Sequence, residues 1–285
     1  MRQSLIAVAA AVGAVLLLAG CGGGSSSTSF PTVGAARTYE IVNFEPSAPV
    51  PAAKPTKVSF VIRQPNGKPL TSFKRGPGPH TGVHLIYVRR DLGAIVHRHP
   101  PIAADGTITD TVTFPEPGPY RLVVDAYPNT TGPQRNFQLF DSVQVAGDYK
   151  PTTLPPTQKS VVVDGYRFTM KKVPSLHAIQ AGLIDFDVTD PNGKPVRFTP
   201  YYGALAHAIF FRKGTLDYFH THVCSAGAAG CTSTLGGTQV TGRSNAPGRL
   251  SVGVLVPVAG TWRLFLQTRV GDHILTAPFT LAVRP

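Results

Sequence analysis

The chain is poor in methionine, cysteine, tryptophan and acid, with two, three and one of the first three and 15 Asp plus Glu against 27 Lys plus Arg in 285 residues. Once a leader is removed Met170 stands alone, which argues against a thioether-built Cu(I) site. The first half has no cysteine after Cys21, so it lacks the thiolate of a blue-copper centre. Its only glutamates are Glu40, Glu45 and Glu116, few for paired acid–base chemistry. There is no Gly-x-Ser-x-Gly elbow, Walker loop, H-E-x-x-H helix or cysteine nucleophile, and the chain is read as not an enzyme. Basic residues are scattered and form no recognisable binding motif, so nucleic acid is excluded as a partner.

Long apolar runs are also missing. Arg2 precedes one from Leu5 to Leu18, too short for a membrane span and ordered like a secretory signal. It ends in Leu18-Ala19-Gly20-Cys21, which resembles the bacterial lipobox. The expectation is a lipoprotein signal peptide over 1–20, lipidation at Cys21 (palmitate or a similar acyl chain) and a flexible lipidated tether over 21–35. The protein would then be exported and anchored to the bacterial cell membrane. The net charge of +12, or +11 without Arg2, favours anionic partners such as envelope polymers, with another envelope protein as the alternative partner. Cys224 and Cys231 flank a small-residue loop and would form a local disulfide in an oxidising compartment.

Helical periodicity is absent from the mature chain. Instead, 27 prolines and 29 glycines punctuate short runs rich in Val, Ile, Phe, Thr and Tyr. Seven such runs lie between 38 and 145 and eight between 159 and 283, with Asp164-Gly165 marking a hairpin. The predicted fold is all-β: two tandem immunoglobulin-like antiparallel β-sandwich domains over 36–147 and 159–285. A proline-rich linker over 148–158 would act as a semi-stiff spacer.

The two halves repeat each other. HLIYVRRDLGAIVHRHP (84–100) aligns without a gap with HAIFFRKGTLDYFHTHV (207–223), QPNGKPL (64–70) with DPNGKPV (190–196), and 105–122 with 247–264. The offset grows from 123 at the histidines to 142 beyond them, so the second copy carries an insertion that includes the cysteine loop. Six of nine histidines fall in the repeat: His84, His97 and His99, then His207, His220 and His222. Residues two apart on a strand share a face, and a hairpin turning at Arg90–Gly93 sets His84 opposite His97 or His99. The second copy would turn at Lys213–Thr215.

Three imidazoles with an open fourth position suit Cu(II) or Zn(II), so each domain is expected to hold its own metal site for buffering or delivery. His80 and Asp125 are possible extra ligands in the first, with Gly203 and Gln267 at the matching places in the second. Two other readings stand beside this one. In the first, the histidines are structural and the chain is a non-enzymatic cell-surface structural or protein-interaction module. In the second, the H-x-H strand is similar to that of the Cu,Zn superoxide dismutases and serves a copper-dependent redox enzyme. That family's bridging histidine and aspartate have no match here.

The segments PNGKPVRFTPYYGALAHAIFFRKGTLDYFHTH and PVAGTWRLFLQTRVGDHILTAPFTLAV resemble an uncharacterised family of bacterial secreted proteins and lipoproteins. Its pattern runs Y-L-G-A-x-G-H, Y-L-H-V-H-P, P-G-x-Y-R-L-F and a closing T-A-x-F strand. The match covers most of 181–283, and HLIYVRRDL, HRHP and PEPGPYRL repeat it in the first half. Ala206 and Val223 depart from the pattern's glycine and proline. The resemblance implies an extracytoplasmic immunoglobulin-like sandwich with a suggested association with heavy metals.

Overall fold

Alternating apolar residues between glycine and proline turns build strands along the whole chain. The computed structural model describes residues 38–74, 82–129, 136–228, 234–235 and 238–285, and among these there is no helix. The proposed leader and tether with Cys21, as well as His80 and Cys231, lie outside the described residues.

The first half contains β1 (Glu40–Glu45), β2 (Val50–Pro51), β3 (Pro55–Arg63), β4 (Val83–Arg89), β5 (Ile95–Arg98), β6 (Thr107–Thr113), β7 (Gly118–Ala126) and β8 (Phe137–Ala146). They form two sheets, ordered β1-β3-β6 and β2-β8-β7-β4-β5. Phe60, Tyr87, Phe114 and Tyr120 fill the space between. Burial alternates along β3, as expected of a strand with one face on a core.

The second half begins with β9 (Ser160–Val163), β10 (Tyr166–Met170), β11 (Leu176–His177), β12 (Gly182–Thr189), β13 (Ala206–Arg212) and β14 (Tyr218–Ser225). It continues with β15 (Thr234–Leu235), β16 (Thr238–Gln239), β17 (Gly242–Ser244), β18 (Arg249–Val254), β19 (Gly260–Val270) and β20 (His273–Arg284). Asp164 and Gly165 both take positive φ, +50° and +83°, the left-handed pair that a two-residue hairpin needs. One layer is β9-β10-β12-β18 and the other β14-β13-β19-β20-β11. The inserted segment supplies β15 to β17. Because β17 pairs with both β14 and β18, it joins the layers into one ten-stranded sheet, whereas the first half keeps two.

Strands β4 and β13 are buried almost throughout, which a sandwich strand with one face in water cannot be. Val83, Leu85 and Tyr87 enter the core of their own sandwich, while Ile86 and Val88 point the opposite way. The outward set meets its counterpart from the second sandwich. Ile86, Val88, Leu92 and Val123 pack with Ile209, Phe211, Leu216 and Phe265, none more than 5% exposed. The two sandwiches therefore pack sheet against sheet along a closed apolar seam within one unit, Thr38–Pro285. The hairpin tips contribute Leu92 and Leu216, both with left-handed backbone at φ +64° and +58°. That conformation costs a non-glycine residue about 1–2 kcal/mol, which burial of each leucine offsets at about 1.5–3 kcal/mol.

The proline-rich segment read as a semi-stiff spacer lies against the sandwiches. Asp91 Oδ2 accepts from the Thr152 amide at 2.6 Å, the Thr152 hydroxyl accepts from Arg89 at 2.9 Å, and Leu154 packs on the seam.

A six-histidine cluster as candidate metal centre

Both histidine-bearing hairpins have the register that brings their imidazoles together. In the first, Leu85 pairs with Arg98 and Ile86 with His97, which carries His84 opposite His99 one step on. In the second, His207 pairs directly with His222 and Ile209 with His220. Strand parity turns all six side chains to the outer face of their sheets, the face that the opposing sandwich covers. His84, His97, His207 and His222 are at most 3% exposed, and His99 and His220 are half-buried.

The two expected sites are consequently one cluster. Ring centroids of His97 and His207 lie 4.9 Å apart, and those of His84 and His220 5.3 Å, each pair joining the two domains. Three trios have ligand atoms all within 4.8 Å of one another: His84 with His97 and His99, His84 with His220 and His222, and His97 with His207 and His220. Two of the three mix domains. The expected first-domain trio, His84 with His97 and His99, is among these, whereas His207, His220 and His222 do not meet as a trio of their own; the packing of the outer faces mixes the two sets, which strand periodicity within one domain does not contain.

Asp125, an expected extra ligand, belongs to none of these trios. Its carboxylate stands 4.0 Å from His84 Nδ1 and accepts from Asn136 Nδ2 at 2.9 Å, with Gln138, Tyr127 and Tyr218 at 3.4 Å. It is an orienting anion beside the cluster. Of the cysteines, Cys224 is buried and disulfide-bonded.

Several contributors escaped the reading from sequence. Gln267, opposite His207 on β19, accepts from His97 Nδ1 across the seam at 3.1 Å, and its amide donates to Thr276 Oγ1. The Tyr201 carbonyl accepts from His207 Nε2 at 2.8 Å. Tyr202 and Gly203 take positive φ in a tight turn that lays the Tyr202 ring flat on His99, centroids 3.9 Å apart. The available signal was Gln267's place as counterpart of Asp125 in the repeat.

Burial holds the pKa of His97 and His220 well below 6.5. The neighbouring imidazoles push the same way, His207 and His84 on His97, and His222, His84, His97 and His207 on His220. Both rings are neutral at pH 7, the state in which imidazole ligates a metal. Burial and the Asp125 carboxylate also raise the Tyr218 hydroxyl well above its usual range. Beside the cluster, a cavity of about 460 Å³ is bordered by Asp125, Tyr127, Tyr218, His220 and Leu255.

Solved structures similar to this chain include FdeC, a broadly conserved Escherichia coli adhesin, at 14% identity, covering 88% of this chain and 65% of that one, with a TM-score of 0.26. Invasin, a bacterial integrin-binding protein, matches at 12% over 86% and 38%, TM-score 0.23. A tetra-tandem repeat from the extending region of a large adhesion protein matches at 13% over 86% and 48%, TM-score 0.25. The chain thus spans less than two thirds of the length of each. No curated protein matches it. The family model of a domain of unknown function, DUF8832, matches residues 37–139 and 160–285, one segment in each half of the repeat, and the chain belongs to that family.

Proposed function

We propose that the chain is an exported, membrane-anchored and non-enzymatic cell-surface module, in which two immunoglobulin-like sandwiches form one rigid body for structural or protein-interaction purposes. The observation that carries this reading is the apolar seam: eight fully covered side chains, four from each sandwich, leave no free hinge between the repeats. A rigid double sandwich presents its remaining faces at one spacing, which suits a scaffold or adaptor at a surface. In this reading the histidines are part of the seam, packing ring against ring where the apolar residues end. The basic balance favours anionic envelope polymers as the surface it meets.

The test combines rigidity with binding. The mature chain should unfold in a single transition, and paired Ile86→Asp and Ile209→Asp should split it in two and enlarge the radius of gyration in solution scattering. The wild type should sediment with isolated cell envelopes and the split variant should lose most of that binding. Independent unfolding of the two wild-type domains, or envelope binding indifferent to the split, refutes the proposal.

A further inference from the structure

We propose that His97, His207 and His220 bind one divalent transition-metal ion, zinc or copper, in a single site shared by the two domains. This goes beyond the surface-module reading and does not depend on it.

The trio is selected by ring geometry. Imidazoles radiating from a tetrahedral ion at 2.0–2.1 Å have ligand nitrogens about 3.3 Å apart and ring centroids about 5.2 Å apart. The centroids of His97, His207 and His220 are separated by 4.9, 5.3 and 5.5 Å. Within it, His207 Nδ1 and His220 Nε2 stand 3.3 Å apart. The other two trios fit less evenly. His84 and His99 are stacked nearly parallel at 4.2 Å, and His84 to His222 is 6.0 Å against 4.5 Å for His220 to His222.

The nitrogens that face away from the proposed ion point to the same trio. A carbonyl oxygen only accepts, so the Tyr201 carbonyl requires the proton of His207 on Nε2 and leaves Nδ1 as a lone pair toward His220. Gln267 turns its amide nitrogen to Thr276, so its Oε1 requires the proton of His97 on Nδ1 and leaves a lone pair on Nε2. Metal-bound histidines are characteristically held this way, by a carbonyl or carboxylate on the far nitrogen. The holder of His97 lies in the opposite domain, so neither domain alone builds the site. His220 presents Nε2 to His207, while its Nδ1 is buried with no hydrogen-bond partner among the described residues, so of the three rings it alone lacks a holder on its far nitrogen. His99 Nε2, 3.2 Å from His97 Nε2, borders the fourth position, and the cavity at His220 and Tyr218 offers a way in.

The test titrates the metal-free mature chain with Zn(II) and, separately, Cu(II), and counts bound metal by elemental analysis after desalting. The expected result is one ion per chain. His207→Ala should weaken affinity by more than about 100-fold, and Gln267→Leu, which touches no metal, by about 10–100-fold. No bound metal, two ions per chain, or an affinity unchanged in His207→Ala overturns the proposal. Should His207→Ala fail to fold, the wild type loaded with Co(II) decides: intense tetrahedral d–d bands support the site and a weak octahedral spectrum overturns it. A metal-free chain that still unfolds in one transition would leave the module reading intact, so the two failures are distinguishable.

Discussion

Acidification should loosen the seam before it touches the carboxylates, and the cluster sets the pH window. His97 is buried, the half-buried His220 has its Nδ1 enclosed, and both have folded-state pKa values well below the ordinary 6.5. Between 6.5 and those lowered values the unfolded chain binds protons that the folded chain refuses. Stability is therefore complete above about pH 6.5 and falls as pH drops. The slope is about 1.4 kcal/mol per pH unit for each ring. Within that interval each pH unit removes up to about 3 kcal/mol for the pair, a noticeable share of the 5–15 kcal/mol typical of a domain. Asp91, whose pKa is lowered from 3.8 through its bonds to Arg89, Thr152 and Gly93, loses its contribution only below about pH 4 and leaves this window to the histidines. The assay is urea unfolding in chelator at pH 7.5, 6.5, 5.5 and 5.0, on the wild type and on His97→Gln with His220→Gln. Equal midpoints from pH 7.5 to 5.0, or a slope as steep in the double variant, would refute the reasoning.

Two further substitutions probe the frame around the cluster. A β-carbon at Gly253 would lie 1.9 Å from the Val240 carbonyl oxygen, so Gly253→Ala must push the inserted segment off β18. Its cost should reach the upper part of the 1–3 kcal/mol range of overpacking, seen as faster hydrogen exchange around Val240 and in β17. An unshifted denaturation midpoint would contradict that. Asp91→Ala removes the acceptor for the Arg89, Gly93 and Thr152 donors in a buried setting, and should cost about 3 kcal/mol. It should also speed proteolysis within 148–158, and a cleavage rate equal to the wild type's would show that these bonds do not hold the segment.

Much of the fold was legible from periodicity. The alternation in PTKVSFVIR and LIDFDV, and Asp164-Gly165 between two apolar runs, locate strands and a hairpin through steric rules that act within a few residues. Two-residue strands such as Val50–Pro51 and Leu176–His177 carry no such pattern, since each pairs in parallel with a last strand distant in sequence. The histidines were legible as same-face pairs but not as a single cluster. The runs VHLIYVR and AHAIFFR did hold a clue: a strand apolar on both faces must be covered on both.

Sequence alone determined the duplication, the longer strands and the shared face of His97 with His99 and of His220 with His222, because chirality and the two-residue repeat of a strand are local. Only the tertiary structure decided what those imidazoles meet. Covering the outer faces of β4 and β13 is a matter of which apolar surface lies within reach, and the other half of the repeat supplies it. That packing brought Gln267 to His97 and turned two expected sites into one shared cluster.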